Sequence, residues 1–164
     1  LLTFLKYGLN SEFIIFSFFI ASLIVISFID IKYQIIPNEI TFSFIPLSLL
    51  SSLIFNHITF INSLLGLIIP AGLLLLIALI YKKGMGIGDV KLIGMIGTFI
   101  GWKYALISIF IGALVGSIYG IYMMSSDKMT RDTRIPFGPF ISIGAVIMVL
   151  LGEILINWYV GVFL

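Results

Sequence analysis

An all-α integral membrane protein, a polytopic bundle of six transmembrane helices, is the fold class this sequence predicts, on three observations. Of 164 residues, 61% are hydrophobic and only 10% charged, whereas a soluble domain carries about 45–50% apolar and about 25% charged residues. The mean hydropathy is +1.27, more apolar surface than a water-soluble core of this size encloses. The apolar residues fall in continuous runs without the period-two alternation of barrel strands. In hydrocarbon only helices and closed barrels satisfy every backbone polar group, so the runs are helices.

A spanning helix needs about 20 mostly apolar residues. Phe13–Ile29 is the first, entered through Ser11 and Glu12, a helix-start pair. Ile40–Phe55 is the second and contains Pro46, which is expected to kink it. Ile61–Tyr81, the third and most uniformly apolar, contains Pro70. Asp89–Gly101 is a short fourth span behind Gly84-Met85-Gly86-Ile87-Gly88; Tyr104–Met124 is the fifth and Phe137–Tyr159 the sixth. Tyr81, Trp102, Tyr104, Trp158 and Tyr159 lie near span ends, as an interfacial belt requires. Gly94, Gly97 and Gly101, and then Gly112, Gly116 and Gly120, recur at three- or four-residue spacing, the pattern of close helix approach. No linker, low-complexity tract or repeat divides the chain, so residues 1–164 read as one domain. Leu1–Asn10 reads as the remnant of a longer N-terminal region or the end of a preceding helix.

Lys and Arg set the orientation. Lys32, Lys82, Lys83, Lys91, Lys128, Arg131 and Arg134 fall on one side of this topology, and only Lys6 and Lys103 on the other. The positive-inside rule places the first group in the cytoplasm of a cell membrane. Asp30 and Asp89 then face the same compartment. With no cysteine, disulfides and thiolate metal sites are excluded, and a single histidine, His57, excludes a zinc centre built on a histidine pair. No metal or cofactor is called for. His57 is expected to be solvated in a short outer loop. No basic nucleic-acid surface is present.

Asp30 and Asp89 are the chemistry-bearing residues. An ionisable group in a bilayer costs roughly 3 kcal/mol or more, so it is usually there for function. If the fourth helix starts at Asp89 and ends near Trp102, it reaches only about 20 Å at ~1.5 Å per residue, less than the ~30 Å hydrocarbon core. Asp89 then sits inside the interface, in a wet cavity. The glycines at 84, 86 and 88 are expected to supply backbone conformations closed to other residues, and close approach of another segment.

Two neighbouring carboxyls cannot both ionise cheaply, so they share a proton. One can then take a proton from water while the other polarises a peptide carbonyl. Asp89, at a helix start, is the better choice for the ionised base. Structural readings compete: Asp89 as a plain helix cap, Asp30 as an interfacial anchor paired with Lys32. Lys91 points to a different helix face from Asp89, as a snorkelling anchor or a substrate contact.

Other chemistries fit less well. The glycine stretch follows a membrane helix, not a strand, and lacks the Lys-Ser/Thr pair of a phosphate loop. Ser117 lies in a glycine-rich span while the sole histidine is in a loop, which disfavours a Ser–His pair. A proton-coupled transporter would also use membrane carboxylates, but both aspartates map to one face and no internal repeat is evident.

Three segments together resemble the type IV prepilin peptidase branch of the Gly-x-Gly-Asp membrane aspartyl proteases, along essentially the whole chain. They are Asp30 with Ile36-Pro37-Asn38, then Gly86-Ile87-Gly88-Asp89-Val90-Lys91-Leu92, then Ile135-Pro136-Phe137-Gly138-Pro139-Phe140. The resemblance implies a six-helix peptidase domain with Asp30 and Asp89 catalytic and Gly86 and Gly88 in the active-site loop. Lys91, Pro37 and Pro136, in or beside these segments, are the expected substrate contacts. It implies prepilin or pseudopilin substrates, with a short basic leader before a hydrophobic helix, cleaved at the cytoplasmic face. Archaeal preflagellin peptidases share the signature, so an archaellin-type substrate is the near alternative. Many members methylate the new N terminus using a cysteine-paired cytoplasmic region; this chain has no cysteine, so methylation is not carried over.

Overall fold

The computed structural model of the chain describes residues 1–80, 86–126 and 135–163, with backbone alone at 162 and 163. Lys82, Lys83, Lys128, Arg131 and Arg134, on which much of the charge asymmetry rests, lie outside the described residues, as do Tyr81 and Gly84. The described chain is helical: α1 Leu2–Tyr7, α2 Ser11–Tyr33, α3 Asn38–Phe55, α4 Phe60–Ile80, α5 Ile87–Ser125 and α6 Gly138–Phe163. Among the described residues, five helices are long and apolar enough to cross a membrane.

The expected fourth and fifth spans are two arms of α5. They meet at Gly101, whose φ of 80° and ψ of 164° break the helix. A positive φ is strained for any residue with a side chain, and a Cβ at Gly101 would also meet Asn62 and Ile58 at 3.0 to 3.1 Å. The arms run in opposite directions, as their partners reveal. Asp89 lies near Asp30 and Phe99 stacks on Phe19 at 4.5 Å, so the first arm is antiparallel to α2. Gly138 meets Asp30 while Tyr7, just ahead of α2, bonds Val149, so α6 is antiparallel to α2 as well. Tyr104 faces Gly152 and Ser108 faces Gly144, so the second arm is antiparallel to α6 and thus to the first arm. Six membrane passes follow from five long helices.

The polarity of a soluble protein is inverted here. Large apolar side chains such as Phe18, Phe28, Ile54, Leu76 and Ile118 point outward, while Ser22, Thr41, Ser48, Ser63, Thr98 and Ser108 are buried. Small polar residues let helices approach, and most hydroxyls return a hydrogen bond to their own helix. Ser63 instead donates from α4 to the Thr98 carbonyl on α5 at 2.6 Å. Beside that bond a Cβ on Gly66 would fall onto the carbonyl of Gly97, and one on Gly97 onto that of Gly66. Glycines 97, 112, 116 and 120 therefore do mark close packing. Gly66→Ala is expected to force α4 from α5 at a cost of about 1–3 kcal/mol. The check is the thermal unfolding midpoint in detergent, which should fall.

Candidate active site

Asp30 stands in the last turn of α2, where the helix presents its partial negative end, an unfavourable place for a carboxylate. α6 supplies the compensation. Its first residue, Gly138, donates its backbone N–H to Asp30 Oδ2 at 3.0 Å, so the positive end of α6 faces the carboxyl. Only 5% of Asp30 is exposed. Gln34, in the left-handed conformation (φ 54°), ends α2 and donates its N–H to the Asp30 carbonyl at 2.8 Å.

Asp89 is the third residue of α5, which begins at Ile87 rather than at the aspartate. Its Oδ2 accepts the N–H of Gly86, the N-cap residue, at 3.2 Å, and its own N–H donates to the Gly86 carbonyl at 3.1 Å. The capping role weighed for Asp89 is therefore present, filled from inside the first turn. Asp89 is 8% exposed, and it shares an end of the bundle with Asp30, because Ile36 lies against both its neighbour Gly88 and Gly138, the donor to Asp30. Because each carboxyl meets a helix start, the reason for preferring Asp89 as the base is lost.

The glycine stretch works differently from expectation. Gly86 has φ −81° and ψ 145°, which any residue adopts, and Gly88 is helical. Neither is needed for an unusual backbone. Gly88 is needed for space: a Cβ there would press on Ile36 at 3.2 to 3.4 Å. Ile36 also lies 3.4 Å from where a Gly138 Cβ would be, so this one side chain wedges between the starts of α5 and α6. Gly84 lies outside the described residues.

Lys91 does leave the Asp89 face. Its Nζ donates to Asn38 Oδ1 at 2.8 Å and lies 5.4 Å from the Phe42 ring centre, tying α5 to the first turn of α3. Pro37 is the N-cap residue of α3, and its carbonyl accepts the Thr41 N–H at 3.3 Å. Pro136 is half-buried two residues ahead of α6. The structure thus gathers Asp30, Ile36, Gly86, Gly88, Asp89 and Gly138 at one end of the bundle. Gly138 was not singled out from sequence; its place in the Ile135–Phe140 segment was the available signal. Among the described residues no three His, Asp or Glu side chains converge as a metal site.

His57 corrects the expectation of a solvated loop histidine. It packs edge-on against Phe16 at 5.9 Å, with both ring nitrogens buried and the Ser51 backbone nearby. It lines a cavity of about 640 Å³ with Lys6, Glu12, Asn62, Lys103 and Glu153, at the end opposite the aspartates. Burial holds the imidazole below its ordinary range. The unfolded chain therefore takes up the proton first, and the stability His57 contributes, full above pH ~6.5, is lost as pH falls. His57→Gln should flatten the acid side of the stability profile, read from thermal midpoints between about pH 7 and pH 5.

The chain matches the family model described as the type IV leader peptidase family over residues 17–121, a stretch that includes both aspartates. It is 34% identical over 147 residues to the prepilin leader peptidase/N-methyltransferase of Legionella pneumophila, covering 85% of this chain and 50% of that protein. Against the protein of the same description from Bacillus subtilis (strain 168) it is 30% identical over 156 residues, covering 95% and 63%. For that of Pseudomonas aeruginosa the figures are 32% over 146 residues, 84% and 49%. The chain spans about half the length of most of these curated relatives. No solved structure matches it.

Proposed function

The chain belongs to the type IV leader peptidase family, and from that membership we propose that it is a membrane aspartic endopeptidase. Its substrates are type IV prepilins or pseudopilins, from which it removes the basic leader at the cytoplasmic face of the cell membrane. One observation supports the reading: two buried carboxyls from separate helices, Asp30 and Asp89, lie at the same end of the bundle, each on a helix-start amide. The relatives described as prepilin leader peptidases supply the substrate class.

In the resting pair one carboxyl is ionised and the other protonated. The ionised group takes a proton from a water molecule as its oxygen attacks the scissile carbonyl carbon; the protonated group donates to the carbonyl oxygen. Collapse of the tetrahedral intermediate returns a proton to the leaving amine and breaks the C–N bond. The pair ends with the proton inventory it began with. The helix-start amides of Gly138 and Gly86 hold the two carboxyls in place, so orientation is settled before substrate arrives. The positive-inside reading of Lys and Arg supports a cytoplasmic position for this end, on the side of the basic leader.

The test is incubation of the purified chain in detergent with an intact prepilin, with mass spectrometry of the product. A mature chain shortened by the leader is expected. Absence of cleavage at every pH tried, with proton-driven uptake in liposomes, would overturn the peptidase in favour of a transporter.

A further inference from the structure

A second feature adjoins the aspartates on the lipid-facing side. Between α2 and α6 runs an apolar groove of about 280 Å³, its walls formed by Ile24, Phe28 and Ile31 on one helix and Pro139, Ser142 and Ile143 on the other. Each set follows helical spacing, so the groove runs along both helix axes. From Ile31 back to Ile24 it extends about 10 Å, two turns at ~1.5 Å per residue. One end reaches the level of Asp30, since Ile31 follows Asp30 and Pro139 follows Gly138, whose N–H holds the Asp30 carboxyl. The other end leads away from that face into the depth of the bundle.

Just behind the groove wall lies a buried polar atom with no partner among the described residues. Ser142 is 4% exposed, and its Oγ has no partner among the described residues, whereas Ser27 across the groove donates to the Leu23 carbonyl at 2.7 Å. A hydroxyl in hydrocarbon calls for a partner. Lipid acyl chains carry no hydrogen-bonding group. A peptide segment does, above all one unwound for cleavage, whose freed backbone N–H and C=O groups need partners at membrane depth. Small residues on a membrane face also mark where another helix comes close.

We propose that this α2–α6 groove receives the apolar segment that follows the scissile bond of the substrate, with the Ser142 hydroxyl turning about χ1 out of the groove wall to bond its unwound first turn. The inference rests on the peptidase reading and adds to it the wall from which substrate enters. A volume near the low end of small-ligand pockets, about 300–1,000 Å³, suits the side chains of a helix laid against the surface. It does not suit an enclosed helix. The segment would lie along α2 and α6, with the leader junction over Asp30.

Because the chain has no cysteine, single-cysteine variants report one position each. Ile24→Cys and Ile143→Cys, placed in an Asp89→Asn background to keep substrate intact, are crosslinked to a prepilin carrying one cysteine in the second turn of its apolar segment. Leu76→Cys on α4 and Ile118→Cys on α5, both lipid-exposed, are the controls. Crosslinking at the groove positions is expected to exceed the controls by about tenfold, the contrast that a preferred site gives over random encounter. In a separate assay Ser142→Ala should raise KM for prepilin about fivefold, the loss of one hydrogen bond, while thermal stability holds or rises because an unpartnered hydroxyl is gone. Equal crosslinking at all four positions, or an unchanged KM, would overturn the groove. Prepilin cleavage by the unmodified chain separates the two ideas: its presence with unselective crosslinking defeats the groove alone, and its absence defeats the peptidase reading and the groove with it.

Discussion

Asp30→Asn and Asp89→Asn are each expected to lower the rate of leader cleavage by about 10³-fold, within the 10²–10⁴ range of general acid–base catalysis. The fold should survive, because asparagine keeps the shape and the acceptor oxygen. An amide oxygen at position 30 still receives the Gly138 N–H, and one at position 89 still receives the Gly86 N–H. What asparagine cannot do is take a proton from water or pass one to a carbonyl. The loss should therefore appear in kcat, with KM for prepilin little changed. The double variant should be no slower than either single one, because groups that act as a unit are not additive. The wild-type rate should be bell-shaped in pH, since productive turnover needs one carboxyl ionised and its partner protonated. Leader cleavage at near wild-type rate by either folded variant would end the two-aspartate mechanism. A purely structural role predicts the opposite pattern, loss of thermal stability without a selective loss of kcat.

The spans were legible because a long apolar run in a chain with 10% charge has one physical outcome. α2 and α4 fall within a few residues of their expected limits. The start of α5 was misplaced by two residues because Asp89 caps from within the helix, a reciprocal bond to Gly86 that hydropathy does not register. Gly101 was grouped with Gly94 and Gly97 as a packing residue. Spacing alone does not separate a glycine that admits a neighbour from one that reverses the chain, and Gly101 does both. The two aspartates stood out because charge is rare and costly in such surroundings. Their supports did not. The amide that holds Asp30 comes from 108 residues further along, and no local pattern encodes a contact of that range. His57 was misread for the same reason, since its burial depends on Phe16 of a different helix.

That long-range support leads to the second large effect, at a residue with no side chain. A Cβ built on Gly138 would stand 2.6 Å from Asp30 Oδ2, well inside contact distance. In Gly138→Ala either the carboxyl rotates away or the start of α6 withdraws and takes its N–H along. Both outcomes misplace Asp30 by about 1 Å, a displacement that costs on the order of 10²-fold in rate when it falls on a reacting group. Stability should fall by only about 1–3 kcal/mol, from the crowded contact or the lost hydrogen bond to a buried carboxyl, partly offset by the lower chain entropy of alanine, about 0.4–1 kcal/mol. A folded Gly138→Ala with kcat down about 10²-fold and KM near wild type, assayed well below its unfolding midpoint, would mark Gly138 as a positioning residue for Asp30. A general packing defect predicts instead that conservative core variants of equal stability loss lower kcat as much. Full kcat in Gly138→Ala would mean that the exact seat of the Asp30 carboxyl is irrelevant to turnover. The helix-start amide of α6 would then be a stabiliser of the fold and nothing more.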